Sequence, residues 1–460
     1  MVIDIYNTLC NVHGEPVEEA WLRSYLSFDD QSTAFRKTRD GRAKHVAPKK
    51  IYLYDILEDT FPTGLLSLVY KKARGLGYEV SLRDCRADCP KPIQADLSWL
   101  RDYQLEAVQT ALRIGRGILH EATGSGKSHM AAGIIMSIPV PWVFIVHRSG
   151  LMYQAKQRFE ECGIRGIGLV GDGNLEIGST VTVATFQTLA TKLNDPQIRA
   201  LRNNARGMII DELHVAASDT WSQTSMAFTE AHYRFGLSGT PLDRSDKRSL
   251  IAVGTTGPVI HHTATETLVQ SGVLAKPIVF MVKVEQELTK PTYAGLYGEA
   301  VIRSSKRNAA LVEMTRLAEK PTLVFVTNLK HGNALVAALQ KAGLSVAFVQ
   351  GSMEESQRGN LKNQLLRKEI DVIVSSVVWQ EGVDLPELAS VIVAGAGRSV
   401  IASLQRVGRG MRRAAGKETF EVWDVADVGT RIFENHTKAR IAAYRREEFE
   451  VRFVDLQSRV

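Results

Sequence analysis

An apolar strand that runs into a glycine-rich turn and a helix start constrains the fold of this chain more than any other feature. Residues 117–128 read Gly-Ile-Leu-His-Glu-Ala-Thr-Gly-Ser-Gly-Lys-Ser. Glycines let successive backbone N–H groups converge on an anion, and the helix predicted over 129–138 adds the positive end of its dipole. We predict a nucleoside triphosphate and Mg²⁺ here, with phosphate contacts from Thr123, Gly124, Ser125, Gly126, Lys127 and Ser128, the last also a metal ligand.

One position departs from the usual pattern of such a loop. The pattern opens with glycine, or alanine in many helicases, where this chain has Glu121. The cradle should be unaffected, because Gly124 and Gly126 carry the tight turns. From this loop alone, a purely structural glycine turn stays open as the alternative.

Bulk composition indicates a globular protein with an anionic partner. A chain of 460 residues is too long for one core and suits two or three domains. Its formal net charge of +7 favours a polyanion such as nucleic acid. The sequence shows neither a signal peptide nor a long apolar run, so we expect a cytoplasmic protein without a membrane partner.

Four cysteines occur, of which Cys85 and Cys89 are close enough in sequence to be considered for a metal site. Because no second pair of ligands is visible nearby, we expect free, reduced thiols.

Strands that alternate with helices predict a doubly wound parallel sheet after the glycine-rich loop. The predicted strands cover 142–146, 181–184, 208–210 and 235–237, with a helix at 151–159. In such sheets ligands bind beyond the carboxyl ends of the strands, so the loops there should carry the chemistry.

Two adjacent acids follow the strand at 208–210. Asp211 can hold the Mg²⁺ shell, and Glu212 can orient or deprotonate the attacking water. A helix cap is the alternative for either acid, but the upstream phosphate cradle favours the catalytic interpretation.

Small hydroxyl residues close the strand at 235–237. Ser238 and Thr240 can bond to His214 and to the acids, which would couple the nucleotide site to whatever binds above it. The alternative for this segment is a simple turn.

A glutamine upstream of the loop suggests the base. Gln104, after Arg101 at the start of an amphipathic helix that runs through Leu112, could pair with N6 and N7 of adenine, which guanine cannot match. This favours ATP, with a glutamine on a helix surface as the alternative.

A second set of strands follows without a phosphate loop, at 278–284, 323–326, 346–349, 372–375 and 391–394. A helical pattern over 405–412 then places Arg409 and Arg412 one turn apart on one face. Two such cations repel unless an anion lies between them. A phosphate bound by the first half would satisfy them, and arginine fingers of this kind contribute roughly 10³ to 10⁵ in rate.

From about Leu100 to about Arg413 the motif order resembles the superfamily 2 helicases and translocases. The resemblance implies two tandem RecA-like doubly wound parallel-sheet domains, an α/β fold, at 98–255 and 256–460. The strand and helix patterns of residues 1–97 predict a small N-terminal α+β domain before them. The resemblance also implies which residues bind the nucleotide, which bind the nucleic acid, and which couple these two sites. The nucleotide contacts include Arg101, Gln104, Gly382 and Asp384, with Gln405, Arg409 and Arg412 catalytic beside Lys127, Asp211 and Glu212. Nucleic-acid contacts come from Arg148, Thr185, Gln187 and Ser375, and coupling from His214, Ser238, Thr240 and Arg406.

Within that superfamily the chain is most similar to the XPB-like and phage UvsW-like group. Arg-Asp-Tyr-Gln at 101–104, Gly-Arg-Gly-Met-Arg at 408–412, Arg307-Asn308 and Tyr-Arg-Arg-Glu-Glu-Phe at 444–449 carry this resemblance. It implies an ATP-dependent DNA helicase that remodels forked and branched DNA, and we expect it to act as a monomer. The alternatives are an RNA helicase, a duplex translocase of a restriction system, and an ATP-hydrolysing switch that does not move.

Residues 1–97 lie outside that resemblance, and their most informative part is a basic hairpin. With Asp40-Gly41 as a two-residue turn, Arg39 would face Arg42 and Lys37 would face Lys44, all on one side. Like charges directly opposite one another destabilise a sheet, and a phosphate backbone would reverse that effect. We predict a duplex-DNA contact, with a merely solvated surface as the alternative.

Overall fold

A computed structural model describes residues 1–30, 33, 35–37, 43–122, 124–213, 219–239, 248–288, 290, 292–376, 385, 387–397, 413 and 417–456. Apart from the short segment Ala122–Ser125, the chain forms one compact unit from Met1 to Thr263 and a second from Ala264 to Val460.

The N-terminal module is a small α+β structure, as predicted. Its strands are β1 (Val2–Ile5), β2 (Leu9–His13), β3 (Ser27–Asp30), β4 (Phe35–Lys37), β5 (Ala43–His45), β6 (Lys49–Tyr52), β7 (Thr60–Pro62) and β8 (Ser81–Asp84). Its helices are α1 (Pro16–Tyr25) and α2 (Leu66–Gly75). Strands β7, β2, β1 and β8 form one sheet in that order, in which β8 runs parallel to β1. Both helices pack on it through apolar residues such as Leu22 and Val69.

This module packs closely against the rest of the first unit. A Cβ added to Gly64 would lie 2.0 Å from the carbonyl oxygen of Val253, so two backbones are in direct contact there. The Asn7 amide donates to the carbonyl of Thr229 at 3.0 Å, and Arg248 forms an ion pair with buried Asp30. Residues 1–97 therefore belong to the same compact unit as the first parallel sheet.

The predicted hairpin forms, but its register differs from the prediction by one residue. Strands β4 and β5 are antiparallel, with Lys37 paired to Ala43 and Lys44 paired to Arg36. The predicted pairing of Lys37 with Lys44, which assumed a two-residue turn at Asp40-Gly41, is therefore wrong, because the observed register pairs each of them with a different residue. Arg39 and Arg42 lie outside the described residues.

The first large sheet is mostly parallel and contains the phosphate loop. Its strands are β9 (Arg116–Glu121), β10 (Trp142–Val146), β11 (Ile167–Gly171), β12 (Asn174–Leu175), β13 (Val181–Thr185), β14 (Gly207–Ile210), β15 (Tyr233–Ser238) and β16 (Val259–Thr263). Among the described residues their order is β12-β11-β13-β10-β14-β15-β9-β16, and only the β11–β12 pair is antiparallel. Strand β16 pairs with β9, so this sheet continues beyond residue 255, the predicted domain boundary.

The helices of this region are α3 (Asp102–Ile114), α4 (Lys127–Ser137), α5 (Ser149–Glu161), α6 (Phe186–Thr191), α7 (Pro196–Asn204), α8 (Asp219–Met226) and α9 (Ser249–Thr256). They alternate with the strands as the doubly wound prediction requires. One core cluster is built from strand residues such as Val143, Ile145 and Met208 with helix residues such as Leu189 and Leu201.

The second unit repeats this architecture. Its strands are β17 (Lys276–Glu285), β18 (Thr322–Phe325), β19 (Val346–Val349), β20 (Val372–Ser375), β21 (Ser390–Val393), β22 (Thr419–Val428) and β23 (Glu450–Val454). Its helices are α10 (Thr265–Gln270), α11 (Tyr293–Tyr297), α12 (Ser305–Leu317), α13 (Leu329–Lys341), α14 (Glu355–Leu366) and α15 (Arg431–Arg446). Within the described part, the strands are all parallel, in the order β19-β20-β18-β21-β22-β17-β23. The prediction of two tandem RecA-like sheets is confirmed.

Two smaller points complete the fold. All four cysteines, Cys10, Cys85, Cys89 and Cys162, are free thiols. In the described ranges, the helices are too short or too polar to cross a bilayer.

Candidate nucleotide-binding site

Three neighbouring strands bring the predicted nucleotide residues to one edge of the first sheet. Strand β15 lies between β9, which enters the phosphate loop, and β14, which ends before Asp211. The register pairs Ser238 with His120 on one side of β15, and Gly236 with Ile210 on the other. Because all three strands are parallel, the phosphate loop, Ser238 and Asp211 leave the sheet at the same carboxyl edge.

The phosphate loop has the backbone conformation that its glycines suggest. Gly124 has φ +91° and Gly126 has φ +88°, both in the left-handed region that favours glycine. Helix α4 begins at Lys127, and Ser128 follows in its first turn, half-buried. The Lys127 ammonium donates to the carbonyl oxygen of Glu121 at 3.3 Å, which places the cation at the mouth of the loop.

Gln104 lies directly beside this loop. A Cβ added to Gly126 would come within 2.3 Å of the Gln104 amide nitrogen, so the Gln104 side chain lies in close contact with the loop backbone. The Gln104 side chain is buried, and its amide oxygen accepts from the backbone N–H of Arg101 at 3.1 Å. The interpretation of Gln104 as a simple surface residue is therefore wrong. Arg101 is exposed at the start of α3.

The two acids after β14 are held at the edge by their own backbone. Asp211 continues the ladder, because its N–H donates to the carbonyl of Ile145 at 2.9 Å. Glu212 adopts φ +50°, an uncommon conformation for a residue other than glycine, and its N–H donates to the Asp211 carboxylate at 3.0 Å. Neither acid caps a described helix. Leu213 is fully buried against Gly236 of β15, which anchors the segment from below.

The residues predicted to couple the sites are only partly described. Ser238 is fully buried at the end of β15. His214 and Thr240 lie outside the described residues.

A histidine that sequence analysis missed holds the start of the phosphate loop. His261 of β16 lies with Nδ1 2.6 Å from the Glu121 carboxylate, which is completely buried. This hydrogen bond with the carboxylate raises the pKa of His261. His120 and His262 form a second pair next to Glu121 and His261, with stacked rings whose centroids are 4.5 Å apart. Burial lowers the pKa of His120 to about 4. Glu121 at the position of the usual glycine was the signal that a partner existed.

The predicted nucleic-acid residues occupy different environments. Arg148 and Gln187 are exposed after β10 and β13. Thr185 is buried, and its hydroxyl bonds to Thr188 at 2.9 Å. Ser375 at the end of β20 is completely buried, and its hydroxyl donates to the carbonyl of Ser376. In this conformation the Ser375 side chain is therefore not exposed, and its contact to nucleic acid stays a prediction.

Several predicted site residues lie outside the described part of the chain. They are Thr123 of the phosphate loop and, in the second unit, Gly382, Asp384, Gln405, Arg406, Arg409 and Arg412. Their roles stay predictions.

The second sheet carries two buried ion pairs near its carboxyl edge. Arg307 of α12 donates to Asp427 at 2.8 Å and to the carbonyl of Ala394. Arg440 of α15 and Asp424 of β22 are both completely buried, 2.8 Å apart.

A tyrosine completes the second of these pairs. The Tyr444 hydroxyl also donates to Asp424, and burial raises the pKa of that tyrosine well above its usual value. Arg307 and Tyr444 belong to the sequence strings that carry the subgroup resemblance. In the structure both are buried and hydrogen-bonded to aspartates of β22.

Comparison with known proteins agrees with this arrangement. Residues 98–243 match the family model described as type III restriction enzyme, res subunit, and residues 306–414 match the helicase conserved C-terminal domain. The chain belongs to the superfamily 2 helicases, and its relatives there include XPB-like and UvsW-like proteins. The predicted family and its use of ATP are confirmed.

Three relatives illustrate this similarity. A Rad25 relative from Haloarcula marismortui is 30% identical, over 68% of this chain and 51% of its own length. The DNA 3'-5' translocase XPB2 of Sulfurisphaera tokodaii is 25% identical over 78% of this chain and 92% of its own. The ATP-dependent DNA helicase uvsW of Enterobacteria phage T4 is 26% identical over 71% of this chain and 68% of its own. This chain thus spans about half the length of the Haloarcula protein.

Likeness of fold extends to the Hef helicase domain of Pyrococcus furiosus. That domain superposes with a TM-score of 0.52 at 14% identity, over 77% of this chain and all of that one. At this identity the likeness supports the fold alone.

Proposed function

We propose that the protein is an ATP-driven motor that remodels forked and branched DNA. The observation that carries this proposal is the register of β9, β15 and β14, which brings the phosphate loop, Ser238 and the Asp211–Glu212 pair to one edge. Gln104 beside Gly126 adds a group that can select adenine. The XPB2 and uvsW relatives act on DNA by name, which supports DNA as the polymer.

Each side chain at this edge has a distinct part in hydrolysis. The Lys127 ammonium leaves the Glu121 carbonyl to bind the β- and γ-phosphates, and Glu212 orients the attacking water. Ser128 and Asp211 offer the oxygen donors that Mg²⁺ prefers, and the bound ion would neutralise charge on the β- and γ-phosphates. Arg409 and Arg412 supply the remaining positive charge to the γ-phosphate as it leaves.

DNA contacts in this proposal go mainly to phosphates. Exposed Arg148 and Gln187 follow strands of the first sheet at its carboxyl edge, and the basic hairpin of the N-terminal module adds Lys37, Arg39, Arg42 and Lys44. Phosphate contacts fix position without reading bases, so recognition should depend on the shape of the junction. We propose that the protein acts as a monomer.

The test is ATP hydrolysis measured with single-stranded, duplex, forked and four-way DNA and with RNA, beside strand-displacement and branch-migration assays. We expect the largest stimulation from forks and junctions. Lys127→Ala and Arg409→Ala should each reduce DNA-stimulated hydrolysis by roughly 10³-fold or more while DNA binding is kept. Hydrolysis retained in either variant, or stimulation by RNA alone, would contradict the proposal.

A second candidate is translocation along duplex DNA without strand separation. The match of residues 98–243 to the restriction-subunit family favours it. Displacement of a third strand from a linear triplex, without any unwinding of forks, would select this candidate.

A further inference from the structure

The first residue of the phosphate loop carries a charge that the usual loop lacks. Glu121 is the last residue of β9 and is completely buried. Ionised carboxylates are rarely buried without a partner, because desolvation costs several kcal/mol. Glu121 must therefore be held by specific contacts.

Those contacts link the loop to the last strand of the first unit. Carboxylate Oε1 lies 2.6 Å from Nδ1 of His261, whose side chain is only 11% exposed. The second oxygen, Oε2, has no hydrogen-bond partner among the described residues. The backbone carbonyl of the same Glu121 accepts from the Lys127 ammonium. One residue thus contacts both β16 and the phosphate-binding cation.

We propose that Glu121 is a positioning residue for ATP, which acts through His261 to hold the start of the phosphate loop and, with it, Lys127. The inference rests on the proposed ATPase function. Glu121 contacts Lys127 through its backbone carbonyl and has no assigned contact with the reacting atoms. We therefore expect changes in the Glu121–His261 pair to alter nucleotide binding more than the rate of the chemical step.

The charge state of the pair should then affect nucleotide affinity. With His261 protonated, the buried pair is neutral. Once His261 loses its proton, an uncompensated carboxylate remains at the base of a loop that must accept a triphosphate, and like charges repel strongly in a low-dielectric interior. Affinity for ATP should therefore fall as pH rises through the pKa of His261, which its hydrogen bond with Glu121 raises above the ordinary histidine value.

Other ionisable groups near the pair have to be considered. Glu106 of α3 acts on His261 in the same direction as Glu121 does. The pKa of Tyr103 is raised mainly by burial, and the nearby Glu121 carboxylate acts in the same direction. Burial, with smaller contributions from His262 and Lys127, lowers the pKa of the adjacent His120. His120, with its pKa near 4, stays neutral across the relevant range. The His262→Gln variant described below separates any contribution of His262 from that of His261.

The experiment measures KM and kcat for ATP from pH 6.0 to 9.0, with saturating forked DNA. The nearly isosteric variant Glu121→Gln keeps the shape and removes the charge, and its KM corrects for the titration of ATP itself. We expect the wild-type KM to rise about threefold to tenfold more than that of Glu121→Gln across this range, with much smaller changes in kcat. Identical KM profiles for the two proteins would overturn the inference.

Two histidine variants complete the design. His261→Lys carries a cation that does not titrate in this range, so its KM should stay low and flat. His262→Gln is the matched control, because His262 bonds to the His120 carbonyl and not to Glu121, and it should keep the wild-type profile. A wild-type profile in His261→Lys would also overturn the inference, even if Glu121→Gln did not fold.

Failure of the proposed function would look different. A wild-type protein that neither binds a fluorescent ATP analogue nor hydrolyses ATP would remove the ATPase proposal itself. Normal wild-type hydrolysis with pH profiles that do not depend on Glu121 and His261 would remove only the inference.

Discussion

The two parallel sheets share one architecture but differ in how charged side chains are held near their carboxyl edges. At the edge of the first sheet, the described polar groups include half-buried Lys127, Asp211 and Glu212 on loops and a helix start. Near the edge of the second sheet, Arg440–Asp424 and Arg307–Asp427 are sealed ion pairs, with every side chain at most 3% exposed. Apart from the buried Glu121–His261 pair, the charged groups described at the first edge stay partly accessible, whereas those of the second sheet neutralise one another in the interior.

The difference shows how a repeated fold divides its work. An edge that must accept phosphates keeps groups whose hydrogen bonds can be exchanged for those of a ligand. In the second sheet, Arg307 and Arg440 donate to the carbonyls of Ala394 and Ala396, just before the segment that carries Arg409 and Arg412. These buried pairs hold the backbone at Ala394 and Ala396, at the end of a strand of the second sheet. Stability and chemistry should therefore respond to different mutations in the two sheets.

Removal of Asp424 should give the largest effect on stability. Asp424→Ala would leave Arg440 buried without its carboxylate and the Tyr444 hydroxyl without its acceptor. Breaking a buried pair on one side costs about 3–5 kcal/mol. We expect a large fall in the melting temperature, measured by calorimetry, and we expect it whether or not nucleotide is present.

The control for this prediction removes both charges together. Replacing Asp424 and Arg440 by Leu and Met should restore much of the stability, because an apolar pair of similar volume needs no ionic partner. An Asp424→Ala protein as stable as the wild type would break the comparison, since the second edge would then not depend on its ion pairs.

Apolar strands could be predicted from the sequence because their signal is local. Strand β10, Trp142–Val146, has the predicted bounds, since five consecutive buried residues lie between Pro141 and the polar His147. Strands β19 and β20 also have the predicted bounds. The residues of the phosphate loop and the acid pair were found in the same way, because each is a short string at a strand end.

Strands with buried charges were missed because their partners are distant in sequence. Strand β22 contains Asp424 and Asp427, which look like surface residues until Arg440 and Arg307 are seen beside them. Strand β16 contains His261, whose partner Glu121 is 140 residues away. A sequence pattern cannot show that a polar residue is satisfied by a contact across the fold.

Two glycine substitutions, one in each sheet's unit, should have effects of intermediate size and sharpen the comparison. A Cβ at Gly236 of β15 would lie 2.4 Å from Leu213, and one at Gly332 of α13 would lie 2.4 Å from Phe348. Overpacking of this kind costs about 1–3 kcal/mol, so both alanine variants should melt at lower temperature. Only Gly236→Ala should also reduce kcat for ATP, because Leu213 anchors the segment that holds Asp211 and Glu212.

Measured below both melting temperatures, equal kcat values for the two glycine variants would contradict this link. The Gly332→Ala protein serves as the matched control, since its glycine lies in the second unit and packs against the half-buried Phe348.

The smallest expected effect is on DNA affinity and follows from changes in the N-terminal hairpin, which belongs to neither large sheet. Replacing Lys37, Arg39, Arg42 and Lys44 by alanine should weaken DNA binding about tenfold at physiological salt and reduce the slope of log Kd against log salt, because fewer counterions are released. The slope is measured by fluorescence anisotropy with a labelled fork between 50 and 300 mM salt. Strand pairing makes Arg36 the neighbour of Lys44, so Arg36→Ala is the informative single variant to compare. An unchanged slope in the fourfold variant would show that the hairpin is a solvated surface, and that DNA is held by the first sheet without help from the N-terminal module.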